Sequence, residues 1–216
     1  MFPEAPEMQP REDGLVALGG DLRPETLEEA YRKGLFPWEG SQPLPWYSPD
    51  PRCVLVPERF RVTRSLRKRF RSTGWTVRFD TEFTAVMVAC ALVDRRGQPG
   101  TWITRWMVEA YTELHRRGIA HSVEVWEGDA MVGGLYGLSI GRAFFGESMF
   151  HVRADASKVA LWQLCLRLSE WGIDLVDCQQ DTPHLRSLGA EVIPRSDYLC
   201  RLSEATRGPN CWGGFG

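Results

Sequence analysis

Two short stretches of this chain carry side chains that could do chemistry. In Phe144–Phe150 a single carboxylate, Glu147, sits among Phe144, Phe145, Met149 and Phe150. A carboxylate is costly to bury among such neighbours unless a cation or hydrogen-bond donors meet it. Read alone, Glu147 is either the exposed end of a twisted hairpin or a polar group held in an apolar site. The second stretch is Asp177-Cys178-Gln179, which ends the apolar pair Leu175-Val176. Polar residues at the carboxyl end of a strand are where α/β sheets place chemistry. Strand alternation sends Asp177 and Gln179 to one face and Cys178 to the other. An acid and an amide on one face can orient an amine and accept charge as it attacks. Cys178 offers a rival, a thiol nucleophile with His184 or His151 as base. Its direction, opposite to both neighbours, favours a structural cysteine instead.

Both stretches need elements to hold them. Residues 133–150 read as two strands joined near Gly141-Arg142. Glycine weakens a strand, so Gly133, Gly134, Gly137 and Gly146 point to a bulge or to a ligand close to the backbone. Ser122–Trp126 and Ala130–Ser139 form a hairpin across Glu127-Gly128-Asp129, and Ala143–Gly146 returns beside it. A helix opened by Asp155 or Ser157 and stopped at Gly172 buries Val159, Trp162, Cys165 and Leu166. Upstream, Asp80 is placed to cap a helix running to about Val93. After a linker at residues 94–100, a second helix opens near Thr104 and turns Met107, Val108, Tyr111 and Leu114 inward. Pro183–Leu188 is a short helix, and Glu191–Pro194 a final strand.

The first third reads differently. A loose arm covers residues 1–14, followed by the apolar run Leu15–Leu18 and a helix with Pro24 in its first turn and Gly34 just beyond its end. Pro43, Pro45, Pro49 and Pro51 crowd the segment around Trp46 and Tyr47. That density predicts a rigid loop, neither helix nor central strand. Its rings either stack on bases or pack on a core. Arg59–Arg71 is the densest basic run and holds no acidic residue. The whole chain has a formal net charge of −2, so a cluster this strong stands out as a phosphate-facing surface. Arg64, Arg67, Lys68 and Arg69 are its candidate phosphate contacts.

Bulk properties exclude several classes. At 216 residues with 43% hydrophobic content the chain can build one large or two small cores. The expected division is a small N-terminal α+β domain at 1–65 and a larger one at 66–216. None of the six cysteines forms a C-x-x-C pair, which argues against a metal centre. The acidic, Pro-rich start lacks the basic and apolar regions of a signal peptide, and no apolar run is long enough to span a membrane. Free thiols in a monomeric cytoplasmic enzyme fit these features.

Taken in order, many short motifs resemble the leucyl/phenylalanyl-tRNA–protein transferases. They are Gly-Leu-Val-Ala-Leu-Gly-Gly-Asp-Leu at 14–22, Gly-Leu-Phe-Pro-Trp at 34–38, Trp-Tyr-Ser-Pro-Asp-Pro-Arg at 46–52 and Gly-Thr-Trp-Ile at 100–103. His-Ser-Val-Glu-Val-Trp at 121–126, Phe-Gly-Glu-Ser-Met-Phe at 145–150, Asp-Cys-Gln at 177–179, Ser-Leu-Gly-Ala at 187–190 and Ile-Pro-Arg-Ser-Asp-Tyr-Leu at 193–199 complete them. The resemblance implies an α+β fold, a small N-terminal domain followed by a GNAT-type acyltransferase domain with a mixed, largely antiparallel sheet flanked by helices. It implies transfer of leucine or phenylalanine, with methionine as a further donor, from leucyl-tRNA or phenylalanyl-tRNA to proteins beginning with arginine or lysine, which marks them for degradation. By the same resemblance Tyr31, Trp38 and Trp102 hold the terminal adenosine, and Leu135 and Phe144 line the side-chain pocket, where the family often has methionine in place of Leu135. Met149 is grouped with these substrate-binding residues, and Glu147, Asp177 and Gln179 form the polar reaction centre.

The chemistry so implied asks little of the protein. An aminoacyl ester is already activated, and an α-amine with a pKa of about 7.7–8.0 is partly neutral at cytoplasmic pH. Orientation can supply much of the acceleration, with no metal, nucleotide or coenzyme. Glu147 or Asp177 would provide the carboxylate for the acceptor's cationic end. A coenzyme-A acetyltransferase would need a Gly-rich loop where His151–Ala156 stands without a glycine. A non-catalytic tRNA-binding module would keep the basic run but would not need Glu147, Asp177 or Gln179.

Overall fold

The computed structural model describes residues 2–3, 8–38, 40–93 and 101–214. The linker expected at 94–100 lies outside the described residues. Two sheets organise the chain. A three-stranded sheet holds β1 (Leu15–Leu18), β2 (Phe36–Pro37) and β3 (Pro45–Tyr47) in the order β1-β3-β2, with α1 (Pro24–Arg32) connecting β1 to β2. β3 falls inside the proline-rich segment and is the central strand, contrary to expectation. Pro45 takes the strand's first position, where a missing N–H is tolerated, and Trp46 and Tyr47 make the pairings to β2. Among the described residues of the expected loose arm, Phe2 packs edge-on against Trp46 and Met8 is buried.

The larger sheet has seven strands. They are β4 (Arg52–Leu55), β5 (Thr76–Phe79), β6 (Ala120–Glu127), β7 (Ala130–Ile140), β8 (Ala143–His151), β9 (Leu175–Gln179) and β10 (Glu191–Ile193), in the order β10-β4-β9-β8-β7-β6-β5. All pairings are antiparallel except β8 with β9. The sheet is therefore mixed and largely antiparallel, as expected. β4, too short and too mixed to be seen in the sequence, lies inside this sheet. The residues 52–55 thus belong with the larger unit, ahead of the boundary expected at 65.

Helices cover both faces. α3 (Phe83–Leu92), α4 (Arg105–Arg116) and α7 (Arg195–Ala205) lie with α1 on one face, where Leu27, Tyr31, Val86, Met107, Tyr111, Tyr136, Phe145 and Tyr198 form one core. α5 (Ala156–Glu170) and α2 (Arg64–Thr73) lie on the other, over Leu55, Val123, Leu135, Phe144, Leu164 and Val176, and the short α6 (Pro183–Ser187) after β9 sets Leu185 against the same core. α7 was not foreseen, because its polar residues hide the periodicity of Tyr198, Leu202 and Ala205. Leu166 is exposed rather than buried, and α5 turns Leu161, Leu164 and Leu168 inward instead. Asp80 does not cap α3. Its φ of +58° turns it away, to accept hydrogen bonds from Ser122 N and the His121 ring. Buried Glu124 serves the start of α3 instead, accepting from Thr81 Oγ1 at 2.7 Å and from Glu82 N.

α2 contains most of the basic run. Thr63 caps it by accepting from Leu66 N at 3.1 Å, and Gly74 ends it in the left-handed region. Leu66 is buried and Phe70 packs against Trp162 of α5, 5.6 Å between centroids. That face fixes the outward direction of Arg64, Arg67 and Lys68, all exposed, while Arg69, exposed too, reaches Asp155 with Nε 2.8 Å from Oδ2.

Gly137 is the tightest glycine near the sheet's centre. A Cβ there would lie 2.6 Å from the Phe144 ring and would run into the Phe145 carbonyl oxygen. The missing side chain lets the Phe144 ring lie across the strand. We expect Gly137→Ala to cost about 1–3 kcal/mol, toward the upper end because one clash is with backbone. Urea unfolding of the variant measures it, and an unchanged midpoint would mean that Phe144 yields freely.

Candidate active site

The site forms where the sheet opens. The parallel β8–β9 ladder pairs Ala143 with Leu175 and ends at Phe145 with Asp177. Beyond that point each strand follows its outer partner. β8 continues along β7 to the pair Gly133–His151, and β9 along β4 to the pair Cys53–Gln179. Both carry a bulge just there. On β7–β8 the register passes from Gly137–Gly146 to Tyr136–Ser148, leaving Glu147 as the extra residue. On β4–β9 it passes from Val54–Asp177 to Cys53–Gln179, leaving Cys178 extra. Bulges re-aim side chains and end pairing, so the two together open a gap and point groups into it.

A cavity of about 360 Å³ runs through this gap, within the range of small-molecule sites. Its lining comes from both faces of the sheet, for the adjacent residues Leu135 and Tyr136 both border it. On the α5 side the wall is chiefly apolar, made by Leu135, Phe144, Leu161, Leu164 and Val176, and Thr182 and His184 border the cavity too. In the gap stand Glu147, Ser148, Met149 and Gln179. Phe36, Trp38 and Trp102 form an aromatic rim.

Glu147 is the carboxylate in this lining, and two donors bond it while a third hydroxyl lies near. Tyr31 Oη donates to its Oε1 at 2.7 Å, Gln179 Nε2 to the same oxygen at 2.7 Å, and Tyr111 Oη lies 3.4 Å from Oε2. Tyr31 and Tyr111 hydroxyls are 2.6 Å apart. Since Tyr31 spends its proton on Glu147, Tyr111 donates to Tyr31, and the two form a short relay. Burial pushes the Glu147 carboxyl up to about 7, aided by the nearby Asp177 charge and held back by the Tyr31 and Gln179 hydrogen bonds. Of the two readings open in the sequence, the polar group in an apolar site is the one realised.

Asp177 is placed otherwise. It is fully buried and does not line the cavity. Arg52 grips it with Nε at 2.8 Å and Nη2 at 2.7 Å, and Tyr198 Oη donates at 2.8 Å. The Arg52 guanidinium also lies over the Phe36 ring at 4.9 Å and the Tyr198 ring at 4.5 Å. Asp177 therefore has no free carboxylate for an incoming amine. What it holds is Gln179, whose backbone N donates to Asp177 Oδ1 at 2.9 Å. Gln179 has a φ of +62°, and Gln180 N bonds Cys178 O at 2.7 Å across it. This tight three-residue turn is sparsely populated for a residue with a Cβ. It aims the Gln179 amide at Glu147.

Tyr31 departs from expectation in the same way. It is only 1% exposed and its hydroxyl faces Glu147, so it offers no ring face to a base. Trp38, Trp102, Leu135, Phe144 and Met149 do line the cavity. Arg64, Arg67, Lys68 and Arg69 are not part of it, though α2 packs on α5, which supplies one wall. Cys178 borders the cavity beside Val176, with its thiol pushed up by the hydrogen bond it donates to Cys53 and by burial. A thiol kept protonated is a poor nucleophile. Sequence reading missed Arg52, Tyr111 and Tyr198. Arg52 stood in a recognised motif, but nothing local marks a residue whose partner is 125 positions away.

Two stability measurements follow. Asp177→Ala leaves the Arg52 charge buried and alone, so we expect a loss of about 3–5 kcal/mol, with Gln179→Ala far milder. For Glu147 the folded pKa lies above the ordinary value of 4.5. The folded state thus binds more protons between about pH 4.5 and 7, and stability falls as pH rises through that window. Glu147→Gln should lack this decline and gain on the wild type above pH 7. Urea unfolding at pH 5 and pH 8 reads both, and parallel profiles for wild type and Glu147→Gln would contradict the placement of the carboxyl.

Comparison with known proteins gives the same direction. The model of the leucyl/phenylalanyl-tRNA protein transferase family matches residues 54–203, and that of the family's N-terminal domain matches residues 20–50. The leucyl/phenylalanyl-tRNA–protein transferase of Thiobacillus denitrificans is 52% identical over 199 residues, covering 92% of this chain and 87% of that one. The enzyme of the same name from Dechloromonas aromatica is 55% identical over 211 residues, covering 95% and 88%. Among solved structures, a conserved protein of unknown function from Bacteroides thetaiotaomicron aligns with a TM-score of 0.51 at 12% identity, over 74% of this chain and 57% of that one, a likeness of fold alone. With half of its residues shared across nearly the whole length of named relatives, and the family model covering residues 54–203, Glu147 and Gln179 among them, the chain belongs to the leucyl/phenylalanyl-tRNA–protein transferase family.

Proposed function

We infer that this chain moves leucine or phenylalanine from aminoacyl-tRNA to the α-amine of proteins that begin with arginine or lysine, marking them for degradation. Family membership supports the activity. The observation that carries it to this chain is the grading of the cavity, from an apolar end through Glu147 and Gln179 to an aromatic rim. An aminoacyl-adenosine is graded in the same order, from apolar side chain through ester to base. The opening of β8 from β9 supports reading the larger sheet as a GNAT-type acyltransferase fold, with the acyl group lying in the gap.

In this reading the acceptor's neutral α-amine attacks the ester carbonyl. The new C–N bond forms, the ester C–O bond breaks, and the ribose hydroxyl leaves. The amine gives up one proton and the ribose oxygen takes one. Glu147, poised near neutral pH, suits both transfers. Gln179 fixes the carboxylate's direction, Tyr31 and Tyr111 support it from behind, and Asp177 acts by holding Gln179. Trp38 and Trp102 offer ring faces for the adenine. Arg64, Arg67, Lys68 and Arg69 take phosphates along the outer face of α2.

Labelled leucyl-tRNA and a peptide beginning with arginine test the activity directly. Label should appear on the peptide, and a protein that binds the tRNA but never transfers label would be the binding module. Glu147→Gln should slow transfer about 10²–10⁴-fold with tRNA affinity kept. Alanine at Arg64, Arg67 and Lys68 should weaken tRNA binding and flatten its salt dependence by about one unit of slope per lost phosphate contact. Unchanged binding would place the tRNA elsewhere. Donors branched at the β-carbon, valine and isoleucine, should be disfavoured by about 1–3 kcal/mol, and equal transfer of valine and leucine would contradict the pocket assignment.

A further inference from the structure

Trp212 does not line this cavity and lies beyond the residues matched by the family model. We propose that it is a positioning residue for donor selectivity, holding Phe144 in place from behind and so setting the depth of the apolar end of the cavity. The inference rests on reading that end as the donor side-chain pocket.

The geometry is a set of ring contacts with fixed ends. Trp212 lies nearly parallel to the Phe144 ring, 23° and 5.8 Å between centroids, and Phe144 borders the cavity on its other side. Trp212 also stacks on His121 at 3.9 Å and 15°, and meets Trp171 edge-on at 4.8 Å. Its indole N–H donates to Asp80 Oδ2 at 3.1 Å. His121 cannot swing away, because its two ring nitrogens lie 2.9 Å from Asp80 Oδ2 and 3.1 Å from Gly118 O. The segment carrying Trp212 is tied down separately. Cys211 N donates to Gly141 O at 3.0 Å, and Ser139 Oγ bonds Asn210 Oδ1 at 2.7 Å. This explains the unusual φ of Asp80, which aims its carboxylate at both rings at once.

Phe144 needs such a support. Gly137 gives its ring no side chain to lean on, and the ring lies across a bare strand. A ring confined by backbone on one side and by Trp212 on another has one place to sit. Without Trp212 it can withdraw from the cavity into the vacated volume. The apolar end would deepen, favouring a larger side chain over a smaller one.

The test measures kcat and KM with matched leucyl- and phenylalanyl-tRNA and a peptide beginning with arginine, for wild type, Trp212→Ala and Trp212→Phe. We expect Trp212→Ala to raise the phenylalanine-to-leucine ratio of kcat/KM about tenfold or more, chiefly through KM for the leucyl donor. Trp212→Phe, which keeps a flat ring, should restore most of the wild-type ratio. Thermal melts confirm folding, and the phenylalanine variant carries the test if the alanine variant fails to fold, since its ratio should then shift slightly in the same direction. A folded Trp212→Ala protein with the wild-type ratio, or a loss equal for both donors, overturns the proposal. Absence of transfer by the wild type would instead refute the functional reading beneath it.

Discussion

The buried pair of Arg52 and Asp177 is the contact on which the rest of the site depends. Moving two charges out of water costs several kcal/mol for each ion, and only near-complete satisfaction offsets it. Here the guanidinium binds both carboxylate oxygens, Tyr198 adds a third hydrogen bond, and two ring faces cover the cation, with Arg52 Nη1 left without a hydrogen-bond partner among the described residues. The pair joins β4 to β9 just where the β8–β9 ladder ends. It therefore keeps β9 with its outer partner and the gap open. The same carboxylate fixes the strained turn at Gln179, and through Gln179 the direction of Glu147. A charge removed from the chemistry thus controls the groups closest to it.

Glu147 shows how one side chain can be costly for the fold and useful to the site. Its two donors both suit the ionised form, yet burial holds the proton on until near neutral pH. The opposition leaves the group close to half-ionised under ordinary conditions, where it can give or take a proton with little bias. A more complete hydrogen-bond shell would stabilise the carboxylate and spoil that balance. The bulge at Glu147 is what allows the compromise, since a regular strand would send this residue into one core or the other.

Much of this was legible in the sequence. Alternation and turn signals marked β6 through β9, and glycines at 133, 134, 137 and 146 announced irregular strands. Leu135, Phe144 and Met149, all in recognised motifs or beside them, line the cavity. Asp177 and Tyr31 did not follow, for a common reason. Local pattern reports which way a side chain leaves its strand or helix, not whether another residue has already occupied the space in front of it. Arg52 fills that space for Asp177, and Glu147 for Tyr31. β3 and β4 escaped notice because two or three pairings to distant partners hold them, with no periodicity of their own. The acceptor-only demands of two buried carboxylates, once recognised, would have called for donors such as Tyr111 and Tyr198 without saying where they stood.

The separation of Arg52 from Asp177 along the chain has a consequence in time. The two are 125 residues apart, and Tyr198 comes 146 after Arg52. At a synthesis rate of about 5–20 residues per second, Arg52 leaves the ribosome roughly 6–25 s before its partner does. Throughout that interval β4 has neither neighbour, because β9 and β10 both follow it at the far end of the chain. The nascent protein must keep a charged, strand-forming segment in water while the hairpins of β6, β7 and β8 close locally. The gap between β8 and β9 is accordingly among the last features to form, since its β4 side can close only once β9 and β10 have been made.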